Sequence, residues 1–316
     1  MRMTENCACG HGGCCCGKKS SRPEVKISLI DTAPKAQVKP RVRFKAGAVD
    51  EVKQLMENAG LNTVCAEASC PNMAECFANG TATFMILGSH CSRNCRFCDV
   101  TFGGMEPVDV DEPAHVAEAA YKMGLNHVVI TCVARDDLPD GGAFQFVRTI
   151  KAVREKLPEA TIEVLISDMK GEQKSLDRII KAKPDIINHN IETVKRLTPQ
   201  IRHRATYQRT LDVLAYCKAK APEIFTKTGI ILGLGEKREE VDQLMEDTRA
   251  VGVDFLTIGQ YLQPSERHFQ IREYISLADF ADYRKLALSK GFKFVASGPQ
   301  VRSSYKAHEA LQVGVK

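Results

Sequence analysis

The sequence predicts an α/β fold, a partial or full barrel in which parallel β-strands alternate with α-helices. Short runs of β-branched and other apolar residues alternate with stretches of helical periodicity, and the runs recur about every 25 to 45 residues from position 83 onward. Such alternation is typical of a parallel sheet covered by helices. No GxGxxG motif follows the first run, so a barrel is favoured over a dinucleotide-binding sheet.

Seven strands are predicted, each from a short apolar run. They cover residues 83–87, 127–131, 162–167, 186–191, 227–232, 255–259 and 293–296. Helical periodicity is clearest in residues 114–123 and 239–251, and the apolar run 211–217 predicts a buried helix face that includes Cys217. In a parallel barrel the segments that follow the strands meet at one mouth, where the chemistry of such folds is found.

Length and composition fit one large catalytic core with an added tail. The chain has 316 residues, of which 44% are hydrophobic and 26% are charged. Residues 1–45 carry ten basic and three acidic residues, and the remainder carries 34 basic and 36 acidic residues, so the net charge of +5 belongs to the tail. This basic, cysteine-rich segment is expected to be a flexible tail. Steering of an acidic protein partner by its charge and capture of a soft metal by its cysteines between Cys7 and Cys16 stay open, and no other feature supports binding of nucleic acid.

Neither export nor membrane insertion is expected. No apolar run approaches the roughly 20 residues that span a bilayer, and the N-terminus has no apolar signal sequence. Without an export signal, the 13 cysteines are expected to be the reduced thiols of a cytoplasmic protein rather than disulfides.

Polar clusters follow three of the predicted strands. They are the cysteine-containing segment 88–98, the pair Arg135 and Asp136, and the pair Asn190 and Glu192. Because parallel strands end at one mouth, these clusters are predicted to converge on an active site. Taken singly they are weaker signals, since a run of charged residues is usually a solvated loop.

Two cysteine triads are the most specific motifs. Their spacings are Cys65-x4-Cys70-x5-Cys76 and Cys91-x3-Cys95-x2-Cys98. A structural zinc site takes four ligands from protein, whereas an iron–sulfur cluster held by three cysteines leaves one iron open for another ligand. Zinc stays an alternative for the second triad if a residue such as His90 supplies the fourth ligand.

The second triad, with Phe97 beside its last cysteine, resembles the signature of the radical S-adenosylmethionine (SAM) superfamily. Over about residues 40 to 310 the chain is also similar to the lipoyl synthases of that superfamily. The similar segments are 63–76, 82–88, 135–138, 188–193, 232–236, 257–264 and 302–305. The resemblance implies a radical SAM barrel with two extensions that carry an auxiliary cluster. The implied domains are the tail 1–45, an N-terminal extension 46–82, the barrel 83–298 and a C-terminal extension 299–316.

The resemblance further implies two [4Fe–4S] clusters, and SAM bound at the open iron of one of them. The ligands of this radical cluster would be Cys91, Cys95 and Cys98. The ligands of the auxiliary cluster, the sulfur donor, would be Cys65, Cys70, Cys76 and Ser304. An alkoxide is a hard ligand for a thiolate-bound cluster, so that corner is expected to be labile. Without the resemblance, the favoured role of Ser303 and Ser304 would be to cap a helix at 306–311.

The reaction implied by the resemblance is the insertion of two sulfur atoms at C6 and C8 of an octanoyl chain carried on a lysine. These carbons bear unactivated C–H bonds, so a general base has no acidic proton to remove and a radical is required. The residues expected to contact SAM or substrate are Asn190, Glu192, Arg135 and Asp136.

The partners implied by the resemblance are proteins. They are an octanoylated lipoyl carrier domain (a 2-oxoacid dehydrogenase E2 component or a glycine cleavage H protein), an electron donor such as ferredoxin or flavodoxin, and a cluster-assembly carrier. No nucleic acid or membrane partner is expected.

Three positions depart from the family pattern: Cys132 replaces the usual serine, Phe77 a common tryptophan and Ser167 a usual proline. None is a predicted ligand, and Cys132 is expected to be an inert buried thiol. Two other interpretations stay open. A sulfur-inserting enzyme of the biotin synthase kind would lack the pairing of the first triad with segment 302–305. A non-enzymatic cluster scaffold would leave the polar residues at the mouth without a role.

Overall fold

The computed structural model describes residues 54, 56, 60–63, 72, 83–304 and 309–311. The predicted tail 1–45 and the first cysteine triad, Cys65, Cys70 and Cys76, lie outside the described residues, as does most of the segment after Ser304. The predicted domain boundaries therefore stay predictions.

Ten strands are present in the described part of the chain. They are β1 (Asn62–Thr63), β2 (Thr83–Ile86), β3 (His90–Cys91), β4 (Thr101–Phe102), β5 (His127–Cys132), β6 (Thr161–Leu165), β7 (Ile186–Asn188), β8 (Phe225–Leu232), β9 (Phe255–Gln260) and β10 (Phe294–Gly298). Eight of them form one sheet in the order β1-β2-β5-β6-β7-β8-β9-β10, and β3 pairs with β4 separately. β1 is antiparallel to β2, and the other pairings in the main sheet are parallel.

Helices connect most of the parallel strands, as a parallel sheet requires. They are α1 (Glu112–Lys122), α2 (Ala143–Lys156), α3 (Gln173–Lys181), α4 (Thr198–Ile201), α5 (Tyr207–Lys220), α6 (Arg238–Ala250) and α7 (Leu277–Ser289), with a 3₁₀ turn at Met169–Gly171. The buried residues of α6, Val241, Leu244, Met245 and Thr248, recur at the spacing of one helix face. No helix in the described part of the chain is both long and apolar enough to span a bilayer.

The central strands are buried because helices cover the parallel sheet. All four residues of β2 are buried, and so are the first five residues of β5. Cys217 on α5 is 2% exposed and lies in the core, as its apolar neighbours predict. Burying such apolar side chains contributes roughly 1.5 to 3 kcal/mol for each large one.

The predicted α/β fold is confirmed, and all seven predicted strands are present with ends that differ by a few residues. The largest difference is at the predicted strand 186–191, which ends at Asn188. There the chain leaves strand geometry: Glu192 has a φ of 67° and meets β8 only through a single bridge to Ile230. Within the described residues β1 and β10 each pair with one neighbour, so the barrel is partial rather than closed.

A charged group lies inside this sheet. Lys227 Nζ is 2.9 and 3.0 Å from the two carboxylate oxygens of Glu163, and Asn188 Nδ2 donates to the same carboxylate at 2.9 Å. All three side chains are at most 1% exposed. A buried charge is tolerated when it is paired and hydrogen-bonded, so these residues depend on one another.

Candidate active site at the ends of the strands

The second cysteine triad occupies a loop that is held at several points. The short pair β3 and β4 closes its base, where Gly103 N–H donates to Cys91 O at 3.0 Å. Further along, Arg96 N–H donates to Ile201 O, and Phe269 N–H donates to Arg96 O, both at 2.8 Å. The loop is therefore fixed by parts of the chain that are distant in sequence.

Arg93, between the first two cysteines of this loop, is 7% exposed. Its guanidinium donates to both carboxylate oxygens of Asp136, at 2.9 and 2.8 Å, and to Asp168 Oδ1 at 2.6 Å. Burial raises the pKa of the Asp168 carboxyl, but Arg93 outweighs this and lowers it to about 2. The loop is thus tied to the ends of β5 and β6 by charge-assisted hydrogen bonds.

Two of the three thiols in the loop accept a hydrogen bond from a backbone N–H. Cys91 Sγ accepts from Arg93 at 3.4 Å, and Cys95 Sγ accepts from His203 at 3.3 Å. Burial raises the pKa of Cys95 and also that of Cys98, the latter to about 12, so these groups need a bound metal to become thiolates. Backbone N–H groups aimed at sulfur are characteristic of cluster ligands, and the three cysteines fit that role.

The described residues add no support to the zinc alternative. No group of three or more His, Cys, Asp or Glu side chains in the described residues is gathered closely enough to hold one metal ion. His90, the alternative fourth zinc ligand, has its Nδ1 3.0 Å from Glu106 Oε1 and 3.1 Å from Ser89 Oγ. One zinc ion would require all three sulfurs to lie about 2.3 Å from the same metal. A cluster binds each cysteine through a different iron, so its three sulfurs need not meet at one point.

Asn190 and Glu192 lie together where the chain leaves β7. Asn190 Nδ2 donates to Glu192 Oε1 at 3.0 Å. Burial raises the pKa of the Glu192 carboxyl, and the charge of Arg202 opposes this shift. Asn190 Oδ1 is buried and has no hydrogen-bond partner among the described residues, so one polar atom of this pair is available to a ligand.

The C-terminal segment, here residues 299–304, lies against Asn190 of this pair. Ser303 Oγ accepts from Asn190 Nδ2 at 2.6 Å. Gly259 on β9 faces Val301 O, and Gly229 on β8 faces Ser303 Oγ. Ser304, the predicted ligand of the auxiliary cluster, follows directly and is partly buried.

One described residue connects the region of the first triad with this segment. Asn72, between Cys70 and Cys76 in the sequence, is 2% exposed, and its Nδ2 donates to Gln300 O at 2.5 Å. The roles of Cys65, Cys70, Cys76 and Ser304 stay predictions because the three cysteines lie outside the described residues.

Arg135 and Asp136, predicted to contact SAM or substrate, are both engaged within the protein. Arg135 is 3% exposed, pairs with Asp137 at 2.8 Å and donates to Leu87 O at 3.1 Å. Asp136 holds Arg93. Their predicted contact with SAM stays a prediction, and the geometry gives each a supporting role at the mouth.

Sequence reasoning missed the residues that support the site. Arg93, Asp168, Arg202 and His203 are ordinary polar residues in the sequence. A charged side chain between two metal-ligand cysteines was one available signal, because it must find a partner once the loop closes. Its partners Asp136 and Asp168 are 43 and 75 residues away, and no local pattern indicates that pairing.

Comparisons with known proteins identify relatives of this chain. A family model described as the radical SAM superfamily matches residues 85–248. A lipoyl synthase of Alkaliphilus metalliredigens is 51% identical over 274 residues, which cover 86% of this chain and 94% of that protein. A lipoyl synthase of Bacillus cereus is 52% identical over 262 residues, which cover 83% of this chain and 88% of that protein.

Two solved structures share the fold at low sequence identity. Methylornithine synthase has a TM-score of 0.52 and 14% identity, over 85% of this chain and 94% of that chain. SuiB of Streptococcus suis, bound to S-adenosylmethionine, has a TM-score of 0.54 and 12% identity, over 71% of this chain and 54% of that chain. These likenesses bear on the fold alone.

Proposed function

The chain belongs to the lipoyl synthase family of radical SAM enzymes, and we propose that Cys91, Cys95 and Cys98 hold its radical [4Fe–4S] cluster. As a member of this family, the protein is a radical SAM sulfurtransferase that inserts two sulfur atoms at C6 and C8 of a protein-bound octanoyl chain. When bound, the reduced cluster and SAM supply the 5′-deoxyadenosyl radical that removes a hydrogen atom from each target carbon. Family membership argues against a biotin synthase and against a non-enzymatic scaffold.

The observation that carries the assignment of the radical cluster is the pair of backbone N–H donors on Cys91 and Cys95 of the second triad. Hydrogen bonds of this kind stabilise the negative charge of a thiolate-bound cluster and set its potential. The Arg93 ion pairs keep the loop in the geometry that aims these donors.

The second cluster is proposed on Cys65, Cys70, Cys76 and Ser304, where it would be the sulfur donor. The hydrogen bond from Asn72 to Gln300 supports this, because it joins the segment of the first triad to the segment that ends in Ser304. A serine ligand suits a cluster that must be taken apart, since its oxygen is a hard ligand that protonation can remove.

SAM is proposed to contact Asn190 and Glu192. Glu192 offers a half-buried carboxylate for the amino group of SAM, and Asn190 Oδ1 offers a hydrogen-bond acceptor without a partner among the described residues. Arg135 and Asp136 lie at the same mouth. The hydrogen bond from Arg135 to Leu87 O and the one that Asp136 accepts from Arg93 hold the segments around it in place.

The proposed substrate protein is an octanoylated lipoyl carrier domain, from a 2-oxoacid dehydrogenase E2 component or a glycine cleavage H protein. Reduction requires a low-potential one-electron donor such as ferredoxin or flavodoxin, and a consumed auxiliary cluster requires a cluster-assembly carrier. We place these partners and the enzyme in the cytoplasm, where thiols stay reduced.

Anaerobic reconstitution followed by iron analysis and turnover tests this assignment. We expect about eight irons per chain, as two [4Fe–4S] clusters require, and about four in each of Cys91→Ala and Cys65→Ala. Cys217→Ala, which removes a core thiol, is the matched control and should keep both clusters. With SAM, a strong reductant and an octanoyl-lysyl peptide, mass spectrometry should show two hydrogens replaced by two sulfurs. One cluster per chain, or bound zinc, would contradict the proposal.

A further inference from the structure

We propose that Ser303 is a positioning residue: its hydrogen bond to Asn190 holds the C-terminal segment across the mouth and connects Ser304 to the SAM side of the site. The inference rests on the proposed function, because it takes Ser304 as the ligand of the auxiliary cluster.

The path of the segment is the first observation. After β10 the chain turns back, with Val301 N–H donating to Gly298 O at 3.1 Å, and then crosses the sheet from β9 to β8. Val301 meets Gly259 on β9, and Ser303 meets Gly229 on β8. Two residues of extended chain span about 6.6 Å, enough to cross from one strand to its neighbour about 4.8 Å away.

Two glycines make room for this crossing. A Cβ on Gly259 would lie 2.2 Å from Val301 O, closer than any real contact. A Cβ on Gly229 would lie 2.6 Å from Thr257 Oγ1, 2.9 Å from Asn190 Oδ1 and 3.3 Å from Ser303 Oγ. Neither glycine has a positive φ, so close packing rather than backbone conformation accounts for the absence of a side chain. The C-terminal segment supplies that packing at Gly259, and it adds to the packing of Thr257 and Asn190 at Gly229.

The hydrogen bonds of Asn190 are the second observation. Its amide nitrogen carries two hydrogens, and both have partners, Glu192 Oε1 at 3.0 Å and Ser303 Oγ at 2.6 Å. The remaining acceptor, Asn190 Oδ1, is buried and has no partner in the described part of the chain. A donor on bound SAM can therefore use Oδ1 while the nitrogen continues to hold Ser303.

Asn190 thus joins two sites that are far apart in the sequence. One end of its amide faces the proposed SAM site, and the other holds the residue before Ser304. Loss of the Ser303 hydroxyl should leave the cysteine ligands in place but let the Ser304 segment move. The auxiliary cluster should then lose iron faster, and radical formation should continue without matching sulfur insertion.

The test measures iron release from the auxiliary cluster alone. In a Cys91→Ala background only that cluster should remain, and a chelator reports its loss over time. We expect Ser303→Ala to release iron about three to ten times faster, the effect of removing one hydrogen bond. Ser297→Ala is the control, because Ser297 lies on β10, just before the C-terminal segment, and its Oγ donates to Phe280 O at 2.7 Å; it should leave the rate unchanged.

Two further measurements separate positioning from a general loss of structure. Asn190→Ala should produce a similar acceleration, and the double variant Asn190→Ala with Ser303→Ala should add little to either. With Cys91 intact, Ser303→Ala should raise the ratio of 5′-deoxyadenosine to sulfur-bearing product, while its urea unfolding midpoint stays that of the Ser297→Ala control.

The outcomes distinguish the inference from its premise. If Ser304→Ala leaves iron release unchanged, the proposed ligand is wrong and the inference fails with it. If Ser304→Ala accelerates release but Ser303→Ala matches Ser297→Ala, the ligand stands and the positioning role is wrong. Additive effects of Asn190→Ala and Ser303→Ala would also overturn it.

Discussion

Arg93 and Asp136 form a two-pronged ion pair, with Arg93 Nε and one terminal nitrogen 2.9 and 2.8 Å from the two carboxylate oxygens. Arg93 stands between two cysteines of the radical SAM loop, and Asp136 follows β5. The pair therefore fixes the loop that is proposed to hold the radical cluster against the end of β5. A planar, two-pronged contact of this kind fixes orientation as well as distance.

Replacing Arg93 by alanine should destabilise both the fold and the cluster loop. Among the described residues Asp136 would keep only Arg204 at 3.9 Å and Asp168 only Arg209 at 3.3 Å, and removing one partner of a buried ion pair costs roughly 3 to 5 kcal/mol. The free energy of unfolding from urea titration should fall by that amount, and the reconstituted protein should hold less iron. Arg196→Ala, which breaks the exposed pair with Glu240, should change neither quantity much. Equal effects of the two variants would refute the anchoring role.

Asp136→Asn should lower iron retention more than it lowers SAM affinity. The variant keeps the shape of the side chain but removes the charge that holds Arg93. In the iron-loaded fraction, equilibrium dialysis should give a SAM dissociation constant within about threefold of the wild type, whereas Glu192→Gln should raise it about tenfold or more. Equal weakening of SAM binding by both variants would instead favour a direct contact between Asp136 and SAM.

Glu163 should make stability depend on pH in the acid range. Burial alone would raise the pKa of its carboxyl, but Lys227 and His127 outweigh burial and lower it to about 2. The folded pKa is therefore below the unfolded value of about 4.3. This stabilisation is present above about pH 4.3 and is lost as the pH falls toward 2.

Glu163→Gln should remove this pH dependence and lower the free energy of unfolding at pH 7, because Lys227 is left buried without a counter-charge. Urea titrations of the variant and wild type between pH 7 and pH 3 provide the check. Parallel pH profiles for the two proteins would show that Glu163 is not the group responsible.

Cys132→Ser, which restores the residue usual in the family, should leave the iron content unchanged. Cys132 is partly buried against the core, and desolvation raises the pKa of its thiol to about 12, so we expect an unreactive thiol rather than a ligand. Iron analysis after reconstitution should give the wild-type value, and Cys98→Ser should lower it by about four irons. Loss of iron in Cys132→Ser would assign that thiol to a cluster.

Local sequence patterns were enough to predict the seven strands of the barrel, the positions of three of the seven described helices, and the triad Cys91, Cys95 and Cys98. These features are local: alternation of apolar runs with helical periods specifies the elements, and eight residues contain the whole triad. Family motifs also identified Ser304 as a candidate ligand of the auxiliary cluster. Nothing in the sequence next to Ser304 distinguishes it from a helix-capping serine.

Which residues act together became clear from the folded structure alone. Asp136 forms an ion pair with Arg93. Ser303 accepts a hydrogen bond from Asn190, which is 113 residues away in the sequence. Gly229 and Gly259 prove to be the positions where the C-terminal segment crosses the sheet. Such pairings follow from where strand ends converge and which buried polar atoms must find partners there. Periodicity and spacing describe neighbours along the chain and contain no information about contacts across the mouth.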